Sequence, residues 1–165
     1  MSSVVIYYSL EGNTKVAALE LALLLGADVF EIKTIKSYPT FKLGKIITGG
    51  YEATFGLRPW IEPMSVDLAK YDLVVLALPV WAGKPASPIL SFLDEHDVTG
   101  KQLALLVTSG SGDGQSCVEA LAQRLGVAAD SLPVLSLREP RKLAEDERAD
   151  QIHSFAVQLA SKEVS

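Results

Sequence analysis

Two apolar runs, Asp72 to Leu78 and Leu103 to Thr108, constrain this chain more than any other feature. A strand with one wet face alternates polar and apolar residues, whereas a run that is apolar at nearly every position is buried on both faces. Strands of that kind sit in parallel sheets with helices packed above and below. The chain supplies the rest of such a sheet. Val4–Tyr8 reads as a further strand, being short, β-branched and aromatic, and Asp28–Ile32 and Leu132–Leu137 read as two more. Helices are predicted at Lys15–Leu25, from Pro85 or Ala86 to Glu95, at Ser116–Leu125 and at Ala144–Ala160, with glycine stops at Gly26 and Gly126. Strand and helix alternate, so the expected fold class is α/β: a three-layer, doubly wound, five-stranded parallel sheet in the order 2-1-3-4-5. At 165 residues the chain reads as a single domain, residues 1–165, without repeats or low-complexity linkers. The stretch Lys33 to Pro63 holds Pro39, Gly44, Gly49, Gly50, Gly56 and Pro59 and is irregular, with a helix allowed at Phe41–Ile47.

In a sheet of this order ligands bind at the carboxyl ends of the strands, near the point where strand order reverses. Three unusual loops follow the first, third and fourth strands, which are neighbours in that order. They are Ser9–Thr14, Pro79–Lys84 and Ser109–Gln115, and they are expected to converge on one crevice. The first, Ser9-Leu10-Glu11-Gly12-Asn13-Thr14, joins a strand to a helix by a small polar turn containing one glycine. Such a turn aims free backbone N–H groups at one point, and the helix dipole adds positive potential there, which makes it a receptor for a phosphate. Ser9 and Thr14 would offer hydroxyls, Asn13 an amide, and Glu11 to Lys15 backbone N–H groups, with Gly12 permitting close approach.

These residues resemble the flavodoxin family. Its FMN phosphate loop, Ser-x-Thr-Gly-Asn-Thr, is matched by Ser9–Thr14. Tyr71-Asp72-Leu73-Val74-Val75 followed by Pro79-Val80-Trp81-Ala82-Gly83-Lys84-Pro85 is similar to the third strand and first flavin-ring loop. Ser109-Gly110-Ser111-Gly112-Asp113-Gly114 stands where the second ring loop stands. The resemblance covers nearly the whole chain. It implies a flavodoxin-like fold, FMN as cofactor, and a site made of Ser9, Leu10, Glu11, Gly12, Asn13, Thr14, Pro79, Val80, Trp81, Ala82, Gly83, Ser109, Gly110, Ser111, Gly112 and Asp113. Trp81 is the expected aromatic contact to the ring, Val80 to Gly83 would meet the flavin edge, and Ser109–Asp113 the pyrimidine end. Two departures stand out. Glu11 replaces the usual threonine, so its carboxylate is expected to point away from the phosphate or to pair with Lys15. The second ring loop lacks a stacking aromatic, leaving the outer ring face open or covered by Trp60 or Tyr51, neither of which is counted in the site.

Other features read more plainly. The single cysteine, Cys117, permits no internal disulfide and is expected to be a small buried hydrophobe, although it stands near a helix start. His96 and His153 have no partners at metal-ligand spacing and are placed on the surface, and no metal site is expected. The mixed-sign run Arg138–Arg148 reads as a solvated turn and helix start. A net charge of −5 argues against nucleic acid. No Gly-Lys pair is followed by Ser or Thr, so there is no P-loop, and neither a dinucleotide fingerprint nor a hydrolase elbow is present. With no basic-then-apolar N-terminus and no apolar span of ~20 residues, neither a signal peptide nor membrane insertion is expected, and the expected location is cytoplasmic. The reading that follows is an electron-transfer protein that binds FMN and works with redox protein partners, a reductase and an acceptor. Two alternatives remain: an FMN-dependent NAD(P)H oxidoreductase acting on quinones or similar acceptors, and a non-redox binding module on a degenerate flavodoxin fold.

Overall fold

The computed structural model describes residues 1–161 apart from 37, 38, 40–43, 45–47, 49, 53 and 54. Five parallel strands form the sheet: β1 (Ser3–Tyr7), β2 (Asp28–Glu31), β3 (Leu73–Trp81), β5 (Gln102–Ser109) and β6 (Val134–Arg138). Their order is β2-β1-β3-β5-β6, and a two-residue strand, β4 (Lys84–Pro85), folds back antiparallel on the end of β3. Leaving β4 aside, this is the order read from the sequence. The helices are α1 (Asn13–Leu25), α2 (Ser87–Glu95), α3 (Gln115–Leu125) and α4 (Glu145–Ser161).

The central strands place alternate residues on opposite faces, and both faces are covered. On one side Val4, Ile6, Val74, Leu76, Leu78, Leu105 and Val107 pack against Ile89, Phe92 and Leu93 of α2 and Cys117, Val118 and Leu121 of α3. On the other, Val5, Val75, Ala77, Ala104 and Leu106 pack against Ala17, Ala18 and Leu21 of α1 and Ile152, Phe155, Ala156 and Leu159 of α4. This double burial is why β3 and β5 carry no polar alternation. Both α1 and α3 end as their glycines suggest. Gly26 and Gly126 are left-handed, and the next residues, Ala27 and Val127, each donate back to a carbonyl five positions earlier, Ala22 and Ala122.

The third strand departs from expectation. The sequence reading stopped it at Leu78 and began a loop at Pro79, whose missing N–H does not suit a central sheet ladder. Instead β3 runs on through Pro79, Val80 and Trp81. Its neighbour β1 is last registered opposite Ala77, whereas β5 continues to pair, with Thr108 opposite Pro79. Beyond Ala77 the strand is therefore an edge on one side, where a missing N–H is harmless. It turns at Ala82 (φ 49°) and Gly83 (φ 75°), pairing Trp81 with Lys84. Two successive positive φ values are those of a type I′ hairpin. The expected Pro79–Lys84 loop is thus a strand end and a tight hairpin.

The irregular stretch 33–63 is pinned at its two ends. Thr34 and Ile61 form an antiparallel bridge, Ile35 N–H donates to the Trp60 carbonyl (3.0 Å), and Glu62 N–H donates to the Lys33 carbonyl (2.8 Å). On its return it docks on α2, with the Ser91 hydroxyl on the Pro59 carbonyl (2.7 Å) and Arg58 on Asp94 (3.0 Å). Gly44, Thr48, Gly50, Tyr51, Glu52 and Phe55 are helical. The helix anticipated at Phe41–Ile47 lies outside the described residues except for Gly44. Among the described residues no helix is long and apolar enough to cross a membrane.

Candidate functional site

At the carboxyl edge of the sheet lies an open cleft of about 470 Å³. Eleven residues anticipated from the sequence line it: Ser9, Leu10, Glu11, Asn13, Thr14, Pro79, Val80, Trp81, Ala82, Ser109 and Gly110. Thr108, Gly50, Glu139 and Pro140 complete the wall. All three anticipated loops therefore meet, because β1, β3 and β5 are adjacent and parallel.

The first loop is built around Gly12, at φ 89°. That left-handed conformation suits glycine and opposes any β-branched residue. The Gly12 N–H donates to the Ser9 hydroxyl oxygen (3.1 Å). Ser9 Oγ accepts this bond, so its own proton is free to be offered into the cleft. Asn13 Oδ1 accepts from the Arg141 N–H (3.1 Å), which leaves the two Asn13 amide protons as donors. Thr14 is buried, and its hydroxyl lies 2.7 Å from that of Thr108, also buried. Only one hydrogen can lie between two hydroxyls, so the pair keeps one further proton to donate. Donors are thus concentrated at the N-terminus of α1, where the helix dipole is positive and the first turn carries no acidic residue. Donor chemistry and position fit a phosphate group. The Glu11 carbonyl is turned to Arg141 Nη1 (2.6 Å), and the Glu11 side chain is exposed.

The second wall is the end of β3. Trp81 is half-buried, and Tyr8 supports it edge-on, ring centres 5.6 Å apart at 88°. Tyr8 is itself buried, and burial, then the charge of Glu52, push its phenol pKa upward. It therefore stands as a neutral buttress. Ala82 lines the cleft, while Gly83 sits at the hairpin tip outside the lining.

The third wall is narrower than expected. Only Ser109 and Gly110 of the 109–114 loop reach the cleft lining. The Gly112 N–H donates to Ser109 Oγ (2.8 Å), Ser111 Oγ accepts from the Asp113 N–H (3.3 Å), and Asp113 Oδ1 accepts from the Gln115 N–H (3.1 Å). Ser111, Gly112 and Asp113 thus shape the turn and the start of α3. Trp60 is 81% exposed, and Tyr51, 58% exposed, packs on Phe55. Neither lines the cleft.

The run Arg138–Arg148 does more than hydrate a turn. Glu139 N–H donates to the Ser109 carbonyl (3.0 Å), Arg138 Nε to Gly110 (3.2 Å), and Arg141 to Glu11. Glu139 takes φ 41° and pairs with Lys142 at 2.7 Å. Among the described residues the two non-glycines with positive φ, Ala82 and Glu139, both line the cleft. Strain of this sort gathers where surrounding structure dictates the backbone. Thr108 was legible as the polar residue closing an apolar strand, whereas Glu139 and Pro140 carried no local signal. Cys117 is buried, with its thiol pushed up to about 12 by burial. His153 is exposed, while His96 is half-buried and stacks on Phe92 at 4.4 Å. Among the described residues no group of His, Cys, Asp and Glu could hold a metal ion.

A doubly wound sheet with a phosphate-type turn after β1 and ring-sized walls after β3 and β5 defines the class of flavodoxin-like α/β proteins. The flavodoxin family model matches residues 2–131, and the chain belongs to the flavodoxin family. Solved structures agree on the fold. A flavoprotein in complex with FMN from Lactobacillus acidophilus is similar at TM-score 0.68 and 24% identity, over 86% of this chain and 95% of that one. A candidate flavoprotein from Bacteroides eggerthii gives TM-score 0.71 and 21% identity, over 94% and 98%. Oxidised flavodoxin 2 from Bacillus cereus gives 0.61 and 17%, over 98% and 99%. A comparison with curated protein sequences gives no match.

Proposed function

We propose that this chain binds FMN noncovalently in the cleft and passes electrons between redox protein partners, a reductase and an acceptor. The observation that carries the reading is the meeting of three loops, one rich in anion donors and two offering ring-sized walls, in one crevice. The FMN complex of the Lactobacillus acidophilus neighbour supports it. Bound FMN supplies a reversible store for electrons. The protein's part is to hold and tune it. Ser9, Asn13, Thr14 and the N–H groups opening α1 bind the phosphate, while Gly12 shapes the turn. Leu10, Val80, Trp81 and Ala82 exclude water from the ring, with Gly83 setting the hairpin, and Ser109 and Gly110 close the far end on the turn formed by Ser111, Gly112 and Asp113. Charge-assisted hydrogen bonds contribute about 1.5–3 kcal/mol each, so four give roughly 6–12 kcal/mol before desolvation. Micromolar retention needs only about 8 kcal/mol. Glu11 and Glu139 in the wall make added negative charge on the ring costly.

Titrating refolded apoprotein with FMN tests the reading: stoichiometric uptake with quenching of flavin fluorescence is expected, and a chain that stays colourless refutes it. A second reading, an NAD(P)H oxidoreductase acting on quinones or similar acceptors, is favoured by one observation. Gly50 brings the 33–63 excursion to the cleft wall, and that same excursion exposes Tyr51 and Phe55 as a small aromatic platform. Rapid bleaching of the loaded protein by NADPH without an added reductase would select the enzyme.

A further inference from the structure

The end of β6 and the segment that follows it run behind both of the serine–glycine turns at the cleft and hold each by an arginine, Arg138 at the last position of β6 and Arg141 just after it. In the first turn Gly12 N–H meets Ser9 Oγ and Arg141 Nη1 meets the Glu11 carbonyl. In the second, Gly112 N–H meets Ser109 Oγ and Arg138 Nε meets the Gly110 carbonyl. The glycines share their backbone, φ 89° and 84°, and the nearest arginine stem lies 3.6 Å from the Cβ position of each. The two turns differ in what their peptide planes control. In a trans peptide the carbonyl and the following N–H point in opposite directions. Arg141 takes the outward carbonyl of the Glu11–Gly12 peptide, and the N–H of that same peptide points inward to Ser9. Arg138 grips a carbonyl two residues ahead of its glycine, in the turn facing the opposite end of the cleft.

We propose that Arg141 is a positioning residue for the phosphate of FMN. It fixes the Glu11–Gly12 peptide plane from outside, so that Gly12 N–H occupies the acceptor side of Ser9 Oγ and the serine proton is left for the phosphate. Its own N–H holds Asn13 Oδ1, so the amide protons of Asn13 are left for the same group. The inference rests on FMN being the ligand of this cleft. It assigns discrimination between FMN and riboflavin, which lacks the phosphate, to a residue 130 positions from the loop it braces.

The test uses full-length apoprotein and four measurements per variant: the affinities for FMN and riboflavin, each at low and high salt. Arg141→Met keeps the stem over Gly12 and removes the donors. About tenfold weaker FMN binding is expected, the low end of what a charged hydrogen bond contributes, given that the guanidinium is exposed. Riboflavin affinity should stay within about twofold, which also reports an intact fold, since a merely structural defect would weaken both. Arg138→Met should weaken both flavins alike. Arg141→Lys, which keeps a donor, should recover most of the loss. The wild-type to Met ratio should hold from about 0.05 to 0.5 M salt, because a fixed peptide plane is not screened. Equal loss of FMN and riboflavin in Arg141→Met, or a ratio that collapses with salt, overturns the proposal. A wild-type chain that takes up neither flavin instead overturns the function it rests on.

Discussion

The Thr14–Thr108 hydroxyl pair gives the sharpest test of how the first and third loops are joined. The two residues lie 94 positions apart, their hydroxyl oxygens are 2.7 Å apart, and they are 1% and 2% exposed. Replacing Thr108 by Val leaves the Thr14 hydroxyl without that partner in a buried place, which costs about 1–3 kcal/mol. Thr14→Val leaves Thr108 in the same position. The double variant removes both groups and refills the space with methyls, so its cost should be small, under about 1 kcal/mol. The two single changes should therefore be strongly non-additive, with a coupling near 2 kcal/mol, well above the ~0.5 kcal/mol scatter of independent sites. Urea unfolding of the apoprotein measures this. With a slope of about 2 kcal/mol/M, each single change moves the midpoint down by roughly 0.5–1.5 M, and the double variant returns most of the way. FMN affinity should not return in the double variant, because the proton left by the pair is gone. If the single changes simply add, the hydroxyls find other partners and the pair does not join the loops.

Three further outcomes follow from the same structure. Gly12→Val places a β-branched side chain at φ 89° and should abolish micromolar FMN binding while far-UV circular dichroism is retained. Ala82→Gly relieves a left-handed alanine worth about 1–2 kcal/mol, against about 0.4–1 kcal/mol of added chain entropy, so a stabilisation near 0.5–1 kcal/mol should appear as a rise of a few degrees in Tm. The pH dependence has a definite sign. Burial pushes the Cys117 thiol up to about 12, and burial, then the charge of Glu31 and its hydrogen bond, push Tyr7 up to about 12. The unfolded chain ionises these groups at lower pH than the folded one. Stability is therefore fully present below about pH 8.5, the unfolded thiol's pKa, and falls as pH rises toward 12. Cys117→Ala should remove the part of that fall nearest pH 9, and a thiol reagent should label the native wild-type chain only after denaturant is added.

Much of this was legible because the information is local. Leu73–Leu78 and Leu103–Val107 declare double burial by lacking polar alternation, and Gly26 and Gly126 mark helix ends by themselves. The anion turn at Ser9–Thr14 is one contiguous stretch between a strand and a helix. Where the reading went astray, the cause was a neighbour. Pro79 looks like a strand end until one sees that β1 has already stopped beside it. Ser111, Gly112 and Asp113 read as ligand residues, and the structure places them outside the cleft lining, in the turn behind Ser109 and at the start of α3.

The sequence by itself determined the alternation of strand and helix, the two-faced burial of the central strands, and the chemistry carried by each loop, since all of these follow from residue types a few positions apart. Only the tertiary structure decided which donors face the cleft. Thr108 reaches Thr14, and Arg141 reaches Glu11, across spans of 94 and 130 residues, through the register of five strands that no nearby residue encodes. A loop's hydrogen-bonding groups outnumber those that can point one way, and it is the distant partner gripping the outer side that selects the set pointing in.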